Sequence, residues 1–159
     1  MRIYEESRGK YRTTRKSAGC DFCDKEVIRD QQVKQLEGEY WRVFACKYPY
    51  MDGNLMIMPK RHIKDVDKFT SAEWEEFGEV LIKTKHLLGH LFKTKSFNVM
   101  LQIGPNSGGS IRHLHWMIIP RPKKKNLSGW NIYNNFYFVT LSYKELLKKI
   151  DNHYKTKKS

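Results

Sequence analysis

One helical stripe of apolar residues, placed between short strand-like segments, restricts the fold of this chain more than any other feature. Within residues 72–93, large apolar side chains recur at helical spacing, at Trp74, Phe77, Leu81, Leu88 and Phe92. Thr70 and Glu73 precede the stripe at the spacing of a capping box, in which each side chain satisfies a first-turn amide. The pattern predicts one long amphipathic helix whose apolar face packs on another layer.

Strand-forming residues lie on both sides of this helix. The predicted strands are 32–36, 41–46, 54–58, 96–103 and 113–119. Glu37-Gly38-Glu39 is typical of a hairpin turn, and a second capping box at Ser142 and Glu145 opens a short C-terminal helix. The order meander, helix, hairpin, helix predicts an α+β fold with an antiparallel sheet of about five strands.

Composition excludes two broad classes of protein. The 159 residues are 40% hydrophobic and 13% aromatic, which favours one domain with a buried core over a disordered chain. No apolar run approaches the ~20 residues of a membrane span. The first six residues contain no apolar signal core, so we expect a cytoplasmic protein that does not associate with a membrane.

The net charge of +13 is concentrated at the two ends of the chain. Residues 1–19 carry six Lys and Arg against two Glu, and residues 121–159 carry ten against two acidic residues. We therefore divide the chain into a basic N-terminal arm (1–19), a central domain (20–121) and a basic C-terminal extension (122–159). The extension is expected to contribute a strand and a short helix that pack on the domain. Basic ends of this kind attract polyanions, nucleic acid included, or serve only as solubilising tails.

Two cysteines form the motif Cys20-x-x-Cys23, which is typical of a metal site or a redox site in a reducing compartment. The surrounding sequence lacks the βαβ pattern of redox folds that carry this motif, so a metal site is favoured. Cys46 lies in a predicted apolar strand and is interpreted as a core residue.

The densest chemical signal is His113-x-His115, which follows a glycine-rich loop. If residues 113–119 form a strand, His113 and His115 lie on the same face, which is unusual for a core. Glycine loops let backbone amides approach anionic oxygens. The residues alone indicate a phosphate site or a metal site.

Three motifs in this order resemble the histidine-triad (HIT) family. Cys20-x-Phe22-Cys23 is similar to the start of the zinc-bearing branch, and Tyr48 to Ile63, with Pro59-Lys60-Arg61-His62, is similar to an upstream block of the family. Gly108-Gly109-Ser110 with His113-x-His115 resembles the signature His-φ-His-φ-His-φ-φ. The resemblance covers 20–121 and implies a HIT-like fold, and 135–140 resembles the dinucleoside polyphosphate phosphorylase and hydrolase group.

The resemblance implies a mechanism of nucleophilic catalysis. His115 matches the histidine that attacks the α-phosphorus of a dinucleoside polyphosphate or a nucleotide adduct, giving a nucleotidyl-histidine that water or another acceptor resolves. A neutral imidazole does this when its second nitrogen donates a hydrogen bond, usually to a backbone carbonyl. The residues that would bind the phosphate are Gln102, Gly108, Gly109 and Ser110.

Two positions depart from the family pattern. The third triad position is Met117, whose thioether cannot donate a hydrogen bond to a phosphate or leaving-group oxygen. Asn54 replaces an upstream His but keeps a polar amide, so it remains a candidate contact to the nucleotide. A weak or redirected enzyme and a scaffold that only binds nucleotide or nucleic acid both stay open.

The resemblance also implies a cofactor and an assembly. In the zinc-bearing branch the metal is held by residues that match Cys20, Cys23, His62 and His113 here, the four N/S ligands that tetrahedral structural zinc requires. Family members pair as homodimers that join two sheets, and we expect a nucleotide substrate and the same assembly for this chain.

Overall fold

The computed structural model describes residues 19–104, 106–107, 109–121 and 139–157. The predicted arm apart from Gly19, the loop residue Gly108 and most of the extension, 122–138, lie outside these ranges. Of the segment 135–140, only Val139 and Thr140 are described, so the strand predicted in the extension is not tested.

The described residues form one four-stranded antiparallel sheet and three α-helices. The strands are β1 (Trp41–Ala45), β2 (Leu55–Pro59), β3 (Phe97–Leu101) and β4 (Trp116–Pro120), in the order β1-β2-β4-β3. The helices are α1 (Lys25–Gln31), α2 (Ser71–Leu91) and α3 (Tyr143–Thr156). The predicted α+β class is confirmed, with four described strands where about five were expected.

Both predicted capping boxes form and set the starts of the two longer helices. Thr70 Oγ1 accepts a hydrogen bond from the Glu73 amide at 3.2 Å, and Glu73 Oε2 accepts one from the Thr70 amide at 2.8 Å. Ser142 and Glu145 make the same reciprocal pair ahead of α3, at 3.3 Å and 2.7 Å. Because these contacts join residues three apart, sequence spacing alone locates them.

The prediction of a strand at 32–36 is wrong. Gln32 makes one isolated bridge to Phe44, and Lys34–Leu36 form a 3₁₀ turn. Val33 and Leu36 are both buried in the core, and a helical turn brings residues three apart to the same side. The weak alternation that suggested a strand therefore reflects a short helical segment.

The sheet buries a different set of side chains on each face. One face carries Trp41, Val43, Leu55, Ile57, Trp116 and Ile118 and belongs to the core cluster that includes residues of α2 and α3. On the other face, one row of directly opposed residues crosses all four strands: Phe44, Met56, Met117 and Met100. Phe22 and α1 residues Val27 and Ile28 pack on this second face. The functional residues described below lie on this side of the sheet.

The loop between β1 and β2 is held by close contacts at its tip. Gly53 has a φ of 83°, and a Cβ there would overlap the ring of Phe92. Asp52 accepts hydrogen bonds from the amides of Thr140 and Leu141 at 2.7 Å and 2.8 Å. The segment that leads into α3 is thereby attached to this loop.

Among the described residues, no helix is both long and apolar enough to cross a bilayer.

Candidate nucleotide and metal site

Four predicted metal ligands converge from three separate parts of the chain. Cys20 precedes a 3₁₀ turn that ends at Cys23, His62 follows β2 and His113 precedes β4. The ligand atoms of all four residues lie within 4.8 Å of one another. Nδ1 of His113 is 3.4 Å from the sulfur of Cys20 and 3.4 Å from that of Cys23. Nδ1 of His62 is 3.6 Å from Cys23. Two thiols and two imidazoles in this arrangement match the donor set of a structural zinc site.

The backbone orients His113 toward the thiols. Its Nε2 donates a hydrogen bond to the Pro59 carbonyl at 2.9 Å, so Nδ1 carries the lone pair that faces Cys20 and Cys23. Burial lowers the pKa of His113 to about 4, although the Pro59 carbonyl opposes that shift. The imidazole is therefore neutral near pH 7, the state in which it can coordinate a metal.

The strand predicted from residue 113 begins instead at Trp116, so the argument that His113 and His115 share one strand face is wrong. The amide of Leu114 donates a hydrogen bond to the Ile63 carbonyl at 2.8 Å, so it contacts the loop after β2 and not a neighbouring strand. Nδ1 of His115 lies 2.8 Å from the carbonyl of His113. A carbonyl only accepts, so Nδ1 of His115 carries the proton and Nε2 is the nitrogen with a lone pair. This is the hydrogen bond expected for a nucleophilic imidazole.

His115 lines a cavity of about 120 Å³, which we call the inner cavity. Its floor includes Met56 and Met117 from the cross-strand row, and Phe22 presents its ring to His115 edge-on at a centroid distance of 5.1 Å. The other walls come from α1 and from the loop after β1, including Gln31, Cys46 and Tyr48. Cys46 is buried as predicted but also forms part of this wall.

A larger cavity of about 440 Å³, the outer cavity, lies along the glycine-rich loop. Ser110 and Ile111 line both cavities, so this part of the loop separates them. The outer cavity also contacts Gly109 and Gln102, together with the exposed cations Lys64 and Arg112. Gln102 donates from Nε2 to the Ser107 carbonyl at 2.9 Å, which holds the loop in place.

One of the predicted nucleotide contacts, Asn54, lies outside both cavities, whereas another, Met117, lines the inner cavity. Asn54 is fully buried, its Oδ1 accepts from the Tyr50 amide at 3.2 Å and its Nδ2 donates to the Leu55 carbonyl at 3.0 Å. It lines neither cavity and instead shapes the loop that carries Tyr48. Met117 does line the inner cavity, directly opposite Met56 on β2 and Met100 on β3.

Sequence reasoning missed much of the inner cavity. Its unpredicted lining residues include Phe22, Val27, Gln31, Lys47 and Met56. Phe22 lies inside the Cys-x-x-Cys motif and could have been suspected from that position. Gln31 has no local pattern that distinguishes it from the other glutamines, because its burial depends on how α1 packs on the sheet.

Known proteins resemble this chain both in sequence and in fold. The sequence profile of the HIT domain matches residues 29–124. An AP-4-A phosphorylase of Mycobacterium tuberculosis is 33% identical over 75 residues, which is 46% of this chain and 38% of the relative. A bis(5'-adenosyl)-triphosphatase of Saccharomyces cerevisiae is 32% identical over 80 residues, 50% of this chain and 39% of the relative. This chain thus spans about two fifths of the length of each of these relatives.

The fold of this chain also resembles the folds of solved structures. The crystal structure of a Plasmodium falciparum diadenosine triphosphate hydrolase in complex with cyclomarin A superposes with a TM-score of 0.63 at 21% identity. The superposition covers 98% of this chain and 99% of that one. With a HIT domain profile that matches more than half of its length and a HIT-like α+β fold, this chain belongs to the HIT family.

Proposed function

We propose that this protein is a HIT-type nucleotide hydrolase or nucleotidyltransferase that acts through a nucleotidyl-histidine intermediate. The observation that carries the proposal is the hydrogen bond from His115 Nδ1 to the His113 carbonyl at 2.8 Å, in a residue that lines the inner cavity next to Ser110. It makes Nε2 the attacking atom and stabilises the positive charge that the ring acquires as it attacks. The names of two relatives, a phosphorylase and a triphosphatase, suggest a dinucleoside polyphosphate as the substrate.

The proposed reaction has two displacement steps at one phosphorus. Nε2 of His115 attacks the α-phosphorus, a P–N bond forms, and the bond to the leaving group breaks with its electron pair going to the leaving oxygen or nitrogen. Water, or another acceptor such as phosphate, then attacks the same phosphorus. The P–N bond breaks, its electron pair returns to Nε2, and the proton of the acceptor passes to solvent.

The two cavities suggest how the substrate lies across His115. The inner cavity has the apolar floor and aromatic wall that suit a nucleoside, and we place the nucleoside there. The outer cavity lies beyond Ser110 and carries Lys64 and Arg112, so we place the phosphates of the leaving group there. The amides of the glycine-rich loop, including Gly109 and Ser110, are proposed to bind the oxygens of the reacting phosphate.

Met117 supports a second candidate, a HIT scaffold that binds nucleotide or nucleic acid without turnover. Its thioether lines the inner cavity at the third triad position and cannot donate a hydrogen bond to a phosphate oxygen. Loss of one such donor costs about 2.7–4 kcal/mol of transition-state stabilisation in a characterised enzyme. We rank the enzyme first because the hydrogen bond that activates His115 is retained.

We propose that Cys20, Cys23, His62 and His113 hold a structural zinc ion. The two thiols, the lone pair of His113 Nδ1 and the imidazole of His62 provide four N/S donors, and Pro59 fixes the ring of His113 from behind. Such an ion would join the N-terminal turn to the end of β2 and to the approach of β4. Structural zinc contributes directly to the free energy of folding, so we assign it stability and no catalytic step.

A comparison of His115→Asn with His113→Asn tests these assignments together. The protein is incubated with a dinucleoside polyphosphate labelled at the α-phosphate and denatured in alkali, because P–N bonds are labile in acid. Wild type should retain label. His115→Asn should lose the label while keeping its metal content and melting temperature, since no ligand is removed.

His113→Asn should instead lose the metal and melt at a lower temperature. His90→Asn, which changes an exposed histidine of α2, is the matched control and should behave like wild type. Nucleotide binding by wild type without label or turnover would favour the second candidate. Loss of zinc from His115→Asn, or retention of zinc and stability by His113→Asn, would contradict the division of roles.

A further inference from the structure

Gln31 is a buried polar residue that the proposed reaction does not use. It is the last residue of α1, only 6% of its surface is exposed, and it lines the inner cavity. Among the described residues, no side chain or backbone group forms a hydrogen bond with its amide. Its amide atoms are not among the fully buried atoms that lack a partner, because they face the cavity, where a ligand can pair with them.

The apolar residues of the inner cavity cannot form hydrogen bonds with the Gln31 amide. Phe22 and Val27 are apolar, and the floor presents the side chains of Met56 and Met117. The position of Gln31 is set by its neighbour, because Gln32 forms a backbone bridge to Phe44 of β1. The end of α1 is thereby attached to β1, and the amide of Gln31 faces the cavity over an apolar floor.

Gln31 and His115 line the same cavity from different parts of the sheet. His115 precedes β4, whereas Gln31 lies beside the outer edge of β1, so β1 and β2 both lie between them. A nucleotide with its α-phosphorus at His115 and its nucleoside in the inner cavity would extend toward Gln31.

We propose that Gln31 is a specificity-determining residue that reads the N6/N7 edge of adenine. The amide oxygen would accept from the N6 amino group and the amide nitrogen would donate to N7, the pairing that a glutamine makes with adenine. Guanine presents two acceptors, O6 and N7, on the same edge, and the amide cannot satisfy both in this way. This inference rests on the proposed function, since it requires a nucleotide in the inner cavity.

Mononucleotide binding tests the contact without depending on turnover. Affinities for AMP, 7-deaza-AMP and GMP are measured by calorimetry on the full-length chain, as wild type and as Gln31→Met. Methionine keeps the length and helix propensity of glutamine but offers no amide. Gln35→Met is the matched control, because Gln35 is exposed and pairs with Asp151 away from both cavities.

In wild type, AMP should bind about tenfold more tightly than 7-deaza-AMP, which lacks the N7 acceptor, and more tightly than GMP. In Gln31→Met, the affinity for AMP should fall about tenfold, to that for 7-deaza-AMP. Gln35→Met should keep the affinities of wild type. If the ratio of AMP affinity to 7-deaza-AMP affinity is the same in wild type and Gln31→Met, and the melting temperature is unchanged, Gln31 does not read the base. The proposed function would not be affected by that result. Absence of binding of every mononucleotide to wild type would overturn the proposed function, and this inference with it.

Discussion

His113 and His115 are separated by a single residue, yet the hydrogen bonds of their ring nitrogens direct them to different chemistry. His113 donates from Nε2 to Pro59 and turns Nδ1 toward the thiols, whereas His115 donates from Nδ1 and leaves Nε2 as its basic nitrogen. Both acceptors are backbone carbonyls, which cannot change protonation state near neutral pH. The tautomer of each ring is therefore fixed by the fold.

At the scale of single residues, we also expect Met117 to limit the rate of the proposed reaction. Met117→Gln introduces a donor at the third triad position, so kcat should rise by about tenfold or more with little change in KM. The amide enters the apolar row between Met56 and Met100, so the free energy of unfolding should fall by about 1–3 kcal/mol. Steady-state kinetics and denaturant unfolding measure the two effects.

Met100→Gln is the matched control for this substitution. Met100 lies in the same row and is also buried, but it does not line the inner cavity. It should therefore lose stability without any gain in kcat. A kcat for Met117→Gln at or below the wild-type value would mean that the site is built around the thioether.

At the scale of elements, one carboxylate joins the start of α2 to the end of β2. Glu73 caps α2 and pairs with Arg61 through two hydrogen bonds, at 2.5 Å and 2.8 Å, and its carbonyl accepts from the indole of Trp41 at 2.7 Å. The hydrogen bond from Arg61 is the largest cause that lowers the pKa of Glu73, from 4.5 to about 2. The carboxylate is therefore more stable in the folded state than in the unfolded chain.

We expect this carboxylate to contribute to acid sensitivity. Because the folded pKa is below the unfolded one, the contribution is present above pH 4.5 and is lost as the pH falls toward 2. Glu73→Gln should be less stable than wild type at pH 7, with a smaller loss of unfolding free energy between pH 4.5 and pH 2. The exposed Glu79, paired with Lys83, provides Glu79→Gln as a control. Parallel pH profiles for wild type and Glu73→Gln would refute the assignment.

At the scale of the whole molecule, one exposed apolar surface favours the homodimer expected for this family. Strand β3 is an edge of the sheet, and Val99 on its α2-facing side and Ile103 just beyond it are 49% and 39% exposed. Trp74 and Ile82 of α2 are 42% and 53% exposed, with Gly78 midway between them on the same helix face. We infer that a second copy covers this surface and pairs with the edge of β3.

Charge placed in this surface should separate the two copies. The double variant Ile82→Lys with Val99→Lys should sediment as a monomer in analytical ultracentrifugation, while wild type sediments as a dimer. Tyr40→Lys, which adds the same charge to an exposed residue beside the opposite edge of the sheet, should remain dimeric. A monomeric wild type would exclude the assembly, and a dimeric double variant would place the interface elsewhere.

The predictions that depend on local spacing were confirmed. Both capping boxes join residues three apart, and the apolar residues of α2 recur at helical spacing, so neither pattern depends on the rest of the chain. Motif order likewise identified the family, and the four predicted metal ligands do come together. Segment 32–36 was misread because Val33 and Leu36 are buried by packing on the core, and that packing selects a 3₁₀ turn over a strand.

The sequence by itself determined the class of the fold, the family and the identity of His115 as the candidate nucleophile. Only the tertiary structure decided which ring nitrogen of His113 and of His115 carries the proton, that Asn54 supports a loop and that Gln31 lines the inner cavity. The physical reason is the range of the interactions involved. Helix caps and periodic stripes come from contacts within one or two turns, whereas the cavity is formed by residues as distant as Asp21 and Met117, which become neighbours when the sheet and α1 pack together.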